Sequence, residues 1–200
     1  MPKNKAGGRR RKETPPRIVL VGDDSCGSVL GKQAKPVQRK SDWAKLPKLV
    51  KTLLCVLRKA GGQGISAPQT GSRLSVVVIE TRKTVSRRNV APSRPIVMVN
   101  PVITDRSGKM VMGEEGCLSV IDPDGTHVLR GKVERHQWIK VTYLDLKRRQ
   151  HHNRTFRGFK ARVVQHEIDH LAGKLFLDRV DWRHNAAKQL RMVKLKKKTK

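Results

Sequence analysis

Acidic residues, cysteines and long apolar runs are all scarce in this sequence. The 200 residues include 16 Asp and Glu against 45 Lys and Arg, which gives a formal net charge of +29. The three cysteines are odd in number and widely spaced, which argues against a disulfide framework and favours a reducing compartment. No apolar run approaches the ~20 residues of a membrane-spanning helix, so no membrane partner is predicted. What remains is a strongly basic chain, long enough for one domain with a buried core.

The positive charge is spread over the whole chain. Residues 1–17 carry seven Lys or Arg and one Glu, and residues 183–200 carry eight Lys or Arg and no acid. Subtracting these net charges of +6 and +8 from +29 leaves +15 on residues 18–182. A basic surface attracts polyanions, and RNA is the polyanion that we expect here. The other interpretation of the two ends is a pair of disordered, solubilising tails.

Residues 1–16 form a basic tail that we predict to be disordered. The tail lacks the apolar core of a secretory signal, so a cytoplasmic protein is the first expectation. An organelle transit peptide, leading to a mitochondrion or plastid, is the alternative because the stretch is rich in Arg and almost free of acid. It ranks second because the stretch also lacks serine and an amphipathic period.

The most informative stretch is residues 159–173, which contains the pattern His166-Glu167-x-x-His170. At helical spacing the two imidazoles lie one turn apart on the same face, with the Glu167 carboxylate beside them. Two such imidazoles bind a divalent metal, and the carboxylate can take a proton from water that the metal activates. The alternative is a helix that carries two structural histidines and no metal.

A metal held by two histidines needs a further ligand from elsewhere in the chain. Cys117 is the best candidate, because a thiolate suits a metal already held by imidazoles. The adjacent Gly116 allows close approach of the backbone. The alternative for a lone cysteine is an inert buried side chain.

Three segments resemble the signature motifs of the peptide deformylase family, and they occur in the family's order. They are Gly62–Gln69 (GQGISAPQ), Glu115–Ser119 (EGCLS) and Gln165–His170 (QHEIDH). The resemblance extends from about Arg17 to about Val180. It implies a catalytic domain at residues 17–182, followed by a basic C-terminal helix or tail at residues 183–200.

The fold implied by the resemblance is α+β. Antiparallel β-sheets wrap around a central metal-binding helix, with an N-terminal helix and a basic C-terminal helix. The residue pattern predicts a first strand at Arg17–Val21, a helix from a Ser41 cap to about Ala60, and a basic turn at 147–154. It also predicts a terminal helix with Trp182, Ala186, Leu190 and Val193 on one face.

The resemblance also implies the chemistry. The enzyme would remove the formyl group from the N-formylmethionine of nascent polypeptides and release formate. Cys117, His166 and His170 would hold the metal, and Glu167 would act as general acid and base. The Gln69 side chain and the Leu118 backbone N–H would meet the oxyanion. By resemblance the metal is Fe(II), with Zn, Ni or Co able to substitute, and the protein is a monomer.

Several residues fall where the family contacts its peptide. Backbone groups of Gly64 and Gly116 would pair with an extended substrate, as an added strand would. The methionine pocket maps to Gln63, Gly113, Phe159, Arg162 and Val163. Gln63 and Arg162 stand where apolar residues are common, so we expect them to narrow or polarise the pocket unless the Arg162 head group turns outward.

Two further features concern the longer turn at residues 121–129 and the residues that support the metal site. Residues 121–129 form a longer turn than the family has at that point, and we expect it to alter peptide specificity. Asp169 is expected to orient the site from outside the ligand set, together with Arg135.

The alternative function is a ribosome-associated or RNA-binding protein, related to deformylases, in which catalysis is reduced or lost. The basic charge favours it, and the presence of every metal ligand and of Glu167 argues against it. The basic C-terminal segment is expected to contact the ribosome, as it does in bacterial deformylases. A zincin-type protease leaves the cysteine motif unexplained.

Overall fold

The structure is a computed structural model that describes residues 18–22, 29–84, 88–122, 124, 127–146, 150–180 and 190–194. This part of the chain contains two α-helices, α1 (Lys40–Ala60) and α2 (Gly158–Leu171). Its strands are β1 (Gly64–Ser66), β2 (Val76–Ile79), β3 (Ile96–Arg106), β4 (Met110–Ile121), β5 (His127–His136), β6 (Trp138–Leu144), β7 (Gln150–Arg157) and β8 (Leu190–Lys194).

The strands form two antiparallel sheets on either side of α2. One sheet has five strands in the order β1-β2-β3-β6-β7, and the other has three in the order β4-β5-β8. Helix α2 packs against β1, β2, β6 and β7 of the larger sheet and against β5 of the smaller one. The antiparallel sheets and the central helix therefore agree with the expected α+β architecture.

Helix α1 covers one face of the five-stranded sheet. Its buried residues recur at helical spacing, as an amphipathic helix requires: Leu46, Val50, Leu53, Val56 and Leu57. They pack in one core cluster with Ile65 and Val76, which come from β1 and β2. The helix ends at Gly61, whose φ of 70° lies in the left-handed region that glycine adopts without steric cost.

Helix α2 is buried along most of its length. Ala161, Val164 and Leu171 pack with Val77 and Ile139 of the larger sheet in a second core cluster. Burying a valine or leucine side chain contributes about 1.5–3 kcal/mol each, so this face anchors the helix. The opposite side of α2 carries polar residues and faces β4 and β5.

The predicted C-terminal helix is wrong at Leu190–Lys194. These residues form β8, which pairs antiparallel with β5 from Gly131↔Leu190 to His127↔Lys194. The apolar residues have helical spacing, but β5 offers an open edge of backbone N–H and C=O groups. Tertiary pairing of that edge outweighs the local pattern. Trp182 and Ala186 of the predicted stripe, and residues 195–200, lie outside the described residues.

Three smaller predictions also need correction. Helix α1 begins at Lys40 with Arg39 as its N-cap, so Ser41 lies inside the helix, and Asp42 accepts a 3.3 Å hydrogen bond from the Arg39 N–H. Residues 150–154 belong to β7 rather than a turn, because they pair with β6. Residues 18–21 join no strand, although the Val19 N–H donates to the Gln69 carbonyl and the Val21 N–H to the Ser119 carbonyl.

Some expectations fall outside the described residues. These include the basic tail at 1–16 and positions 123, 125 and 126 of the 121–129 turn. Among the residues that the structure describes, no helix is long and apolar enough to cross a membrane.

Candidate metal centre

Cys117 lies where β4 loses its register with β5. Pairing is regular from Met110 to Gly116 and resumes only at Ile121, so Cys117 sits in an irregular stretch. The thiol is buried, and its Sγ accepts hydrogen bonds from the Ser119 N–H at 3.4 Å and from Gln69 Nε2 at 3.5 Å. Donors therefore surround the sulfur and favour its thiolate form.

The two histidines of α2 converge on this sulfur. Their ring centroids are 4.9 Å apart, one helical turn along α2, and the rings are nearly perpendicular. His170 Nε2 lies 3.2 Å from Cys117 Sγ. One nitrogen from each ring and the sulfur all lie within 4.8 Å of one another, and all three residues are buried.

This donor set fits a divalent metal. Bonds of about 2.3 Å to sulfur and 2.0–2.1 Å to imidazole nitrogen bring the ligand atoms of a tetrahedral site about 3.5 Å apart. The Cys117–His170 distance of 3.2 Å is already of that size. Two imidazoles and one thiolate leave a fourth position for water or substrate, the arrangement of catalytic rather than structural sites.

Glu115 orients His166 toward the cluster. Its Oε2 lies 3.0 Å from His166 Nδ1, which leaves the other ring nitrogen, Nε2, to serve as the ligand atom. Arg135 holds the same carboxylate in a two-pronged contact, with Nε and Nη2 each donating at 2.9 Å. Glu115 was not predicted in this role, although strand alternation puts it on the same face as Cys117, two residues away.

A chain of ion pairs continues behind the histidines. Arg135 Nη1 donates to Asp169, and Arg179 donates to both carboxylate oxygens of Asp169 at 2.5 Å. Arg135 is 2% exposed, so a single buried guanidinium joins the carboxylates next to His166 and His170. The structure thus brings Asp169 and Arg135 together, and it adds Arg179, which the motifs did not reveal.

The charges in the site follow from these contacts. Burial alone would raise the pKa of the Cys117 thiol, but the adjacent His170 and His166 hold it well below its ordinary value. Burial also opposes ionisation of Glu115, yet hydrogen bonds from Arg135 and His166 hold its pKa well below the usual range. For Glu167, burial dominates and raises the pKa to about 7.

Glu167 stands beside the cluster without a fixed partner. Within the described part of the chain, its buried Oε2 has no hydrogen-bond partner, and the same holds for His170 Nδ1. Its other oxygen lies against Gly64, where a Cβ atom would come within 2.7 Å of Oε1. A buried carboxylate with an unused oxygen next to three potential ligands is suited to exchange a proton with a bound molecule.

Gln69, in a short 3-10 helix (Ala67–Thr70) that follows β1, and Leu118, in β4, border the same cluster. Gln69 Oε1 accepts hydrogen bonds from the N–H and hydroxyl of Ser66, which fixes the amide orientation and turns Nε2 toward Cys117 and Ser119. Leu118 lies next to Cys117 in the irregular part of β4.

The residues expected to line a methionine pocket behave differently from one another. Phe159 and Val163 pack with the apolar core around α2.

Gln63 exchanges two hydrogen bonds with the Arg82 backbone, at 2.7 and 3.0 Å, so its amide is engaged. Arg162 lies over Gly113 and donates to Glu115 and to the carbonyls of Val111, Gly113 and Val133. The polar groups of Gln63 and Arg162 are therefore satisfied by protein.

Comparison with known proteins gives a consistent result. A family model described as polypeptide deformylase matches residues 15–186. A peptide deformylase of Chloroflexus aurantiacus is 34% identical over 170 residues, which span 82% of this chain and 86% of the relative. Peptide deformylase 1A, chloroplastic/mitochondrial, of Arabidopsis thaliana is 36% identical over 187 residues, or 87% of this chain and 64% of that protein.

Solved structures show the same similarity. The Met-Ala-Ser-bound class I type b peptide deformylase from Acinetobacter baumannii superposes with a TM-score of 0.73 at 36% identity. The match covers 84% of this chain and 99% of that one.

Proposed function

The chain belongs to the polypeptide deformylase family, a family of metal-dependent hydrolases that remove the N-formyl group from nascent polypeptides, and we propose that Cys117, His166 and His170 hold its metal. The observation that carries this proposal is the convergence of the three buried ligand atoms beside Glu167, whose Oε2 has no partner in the described chain. The product released with the free amino terminus is formate.

A metal ion held by these residues supplies a Lewis acid that lowers the pKa of water and polarises a carbonyl group. From the resemblance to the family we propose Fe(II) as the metal in the cell. Zn, Ni or Co could substitute, because one thiolate and two imidazoles suit all four ions and do not select among them. Glu115 supports the ligand set by fixing the tautomer of His166 through Nδ1.

Glu167 serves as the general base and then as the general acid. It accepts a proton from the water that attacks the formyl carbon and delivers it to the departing α-amine. Its burial beside His166 supports this role, because solvent does not compete for the carboxylate.

Gln69 and Leu118 stabilise the oxyanion that develops on the formyl oxygen. The Gln69 amide is held by Ser66 with its Nε2 toward the cluster, so it needs no reorganisation during the reaction. The Leu118 N–H belongs to the stretch of β4 that has lost its register with β5, which frees it from the regular ladder.

The peptide binds as an extended segment along Gly64 and Gly116, with its methionine among Gln63, Gly113, Phe159, Arg162 and Val163. Arg162 is held over Gly113 and Gln63 is held by Arg82, so the hydrogen-bonding groups of both side chains are already engaged by protein. We therefore expect an apolar pocket that accepts methionine, rather than the polarised pocket that the sequence suggested.

The test is formate release from formyl-Met-Ala-Ser by protein purified without oxygen, with metal analysis on the same sample. We expect turnover, about one equivalent of divalent metal, and loss of turnover on chelation. Protein that binds metal correctly and releases no formate would favour the alternative, a ribosome-associated or RNA-binding protein without catalysis.

Replacing Gly64 by alanine should lower deformylation, because the new Cβ would lie 2.7 Å from both Glu167 Oε1 and Val163 Cγ1. Overpacking of this kind costs about 1–3 kcal/mol, which corresponds to a loss of roughly 5- to 150-fold when it falls on the reacting carboxylate. The readout is kcat with formyl-Met-Ala-Ser. Gly108→Ala is the matched control, since nothing lies within 4 Å of its Cβ position, and equal effects in both variants would contradict the prediction.

We further propose that the basic surface associates with the ribosome. Support comes from the net charge of +29 and from four lysines at residues 196–200. Since β8 is a strand of the smaller sheet, a truncation should remove only residues 195–200 and leave that sheet intact.

Co-sedimentation with ribosomes should weaken when residues 195–200 are deleted, and it should fall as salt rises, because each lysine–phosphate contact releases counterions. Replacing the four lysines by glutamine should reproduce the effect of the deletion, which separates charge from chain length. Binding that is indifferent to salt and to both variants would remove the ribosome proposal and leave the hydrolase intact.

Compartment and assembly are also proposals. We place the enzyme in the cytoplasm as a monomer, with a mitochondrion or plastid as the alternative. The alternative draws on the Arabidopsis thaliana relative, which is named chloroplastic/mitochondrial. Fluorescent fusions made at the C terminus, with and without residues 1–16, distinguish the compartments.

A further inference from the structure

Strand β4 has an open edge. Within the described part of the chain, β4 pairs only with β5, so the smaller sheet ends at β4. Backbone N–H and C=O groups alternate in direction along a strand, so every second residue of β4 directs its polar groups away from β5. An open edge of this kind can accept another extended chain.

The outer half of this edge is apolar and exposed. Met110, Val111 and Met112 are 40%, 39% and 53% exposed, and they are consecutive. Sheet edges usually carry lysine, proline or a bulge, which prevent association with other chains. The Met110–Met112 edge has three consecutive exposed apolar residues in place of these protective features, as expected of a surface that binds another chain.

The exposed edge is continuous with the metal centre. Register with β5 is regular from Met110 to Gly116, the residue before Cys117. At about 3.4 Å per residue, this stretch is roughly 20 Å long, about twice the length of a bound tripeptide. Arg162 holds the carbonyls of Val111 and Gly113 to α2, so the edge is rigidly anchored to the helix that carries the histidines.

The direction of a bound chain follows from burial. The residues that follow Gly116 are almost fully buried, as Cys117, Ser119 and Val120 show, so an added strand cannot continue in that direction. Toward Met110 the edge is open. A substrate with its formyl group at Cys117 must therefore extend toward Met110, antiparallel to β4, which is also the slightly more stable pairing.

We propose that β4 pairs with the nascent chain beyond its first three residues and prefers apolar side chains at the fifth to seventh positions. This inference rests on the proposed function. With methionine opposite Gly116, each later residue moves one position along β4, so the fifth, sixth and seventh lie opposite Met112, Val111 and Met110. Methionine side chains adapt to varied partners, which suits a surface that meets many nascent sequences.

The test compares kcat/KM for formyl-Met-Ala-Ser-Ser-Val-Val-Val with that for the same peptide carrying Thr-Thr-Thr. Valine and threonine have the same shape and both favour strands, so the comparison isolates apolar contact. We expect the valine peptide to be preferred about fivefold, since each apolar cross-strand pair contributes about 0.2–1 kcal/mol. N-methylation of the fifth or of the sixth residue should reduce kcat/KM at one position only, because strand amides alternate in direction.

A pair of variants tests the surface itself. The double substitution Met110→Gln, Met112→Gln should reduce the preference for valine to about twofold or less. Val102→Thr is the matched control, since Val102 is 59% exposed on β3 of the other sheet, and it should keep the full preference.

Three outcomes would overturn the inference. They are equal kcat/KM for the two heptapeptides, insensitivity to N-methylation at both positions, or a dimer in sedimentation velocity that the double substitution dissociates, which would make a second copy the occupant of the edge. In each case formyl-Met-Ala-Ser would still be turned over. Failure to release formate from any peptide would instead contradict the proposed function.

Discussion

Glu167→Gln is expected to lower kcat for formyl-Met-Ala-Ser by about three orders of magnitude while the metal content stays unchanged. A positioned general acid–base contributes about 10²–10⁴-fold to rate. Glutamine keeps the shape of the side chain but cannot carry the proton. The proposed ligand atoms belong to Cys117, His166 and His170, so the substitution removes none of them. The measurement is formate release together with metal analysis on the same preparation.

Asp105→Asn is the control for this experiment. Asp105 is an exposed carboxylate on β3, outside both the metal centre and the β4 edge, and its loss should leave kcat close to the wild-type value. Two results would contradict the assignment of Glu167. One is a Glu167→Gln variant that retains most of its activity, and the other is a variant whose activity falls only in proportion to lost metal.

Arg135→Met is expected to destabilise the metal-free protein by about 3–5 kcal/mol, the usual consequence of removing one partner from a buried ion pair. Arg135 is 2% exposed and hydrogen-bonds both Glu115 and Asp169, so its loss leaves two buried carboxylates without their shared cation. For a chain of this size the change corresponds to a fall in Tm of roughly 10 °C. Thermal unfolding is measured with a chelator in every sample, so that metal binding does not contribute.

Arg130→Met provides the matched comparison on the same strand. Arg130 pairs with Glu114, whose side chain is 45% exposed, and such pairs contribute about 0–1 kcal/mol. A further variant isolates the cause: Glu115→Gln should be less destabilising in the Arg135→Met background than in the wild type, because one unpaired charge is removed. Additive effects of the two substitutions, or equal effects of Arg135→Met and Arg130→Met, would contradict the explanation.

The parts of the site that depend on local spacing could be predicted from the sequence. His166 and His170 share a helix face through their spacing alone, with Glu167 beside them, and α2 (Gly158–Leu171) covers nearly the same residues as the 159–173 stretch. Cys117 could be predicted only as the best candidate for a further ligand, from the chemistry of its thiolate and from the resemblance, because nothing local relates β4 to α2. Glu115 could have been found from strand alternation, since it precedes Cys117 by two residues and shares its face.

The other features could not be predicted, because they depend on contacts between residues that are distant in the sequence. Arg162 can satisfy its guanidinium in many ways, and its actual partners exist only once β4 and β5 pair beneath it. Gln63 pairs with the backbone of Arg82, which only the folded chain brings close. Leu190–Lys194 had helical spacing, and the open edge of β5 decided its conformation.

The three proposed ligands belong to separate parts of the fold, and this has a consequence for folding energetics. Cys117 comes from the smaller sheet, whereas His166 and His170 come from the helix packed on the larger one. A bound ion therefore acts as a cross-link between the two, and it is bound by the folded chain in preference to the unfolded one. Each tenfold excess of free metal over its Kd then adds about 1.4 kcal/mol to the free energy of unfolding. Melting temperature measured across a metal titration thus reports occupancy of the site without any substrate.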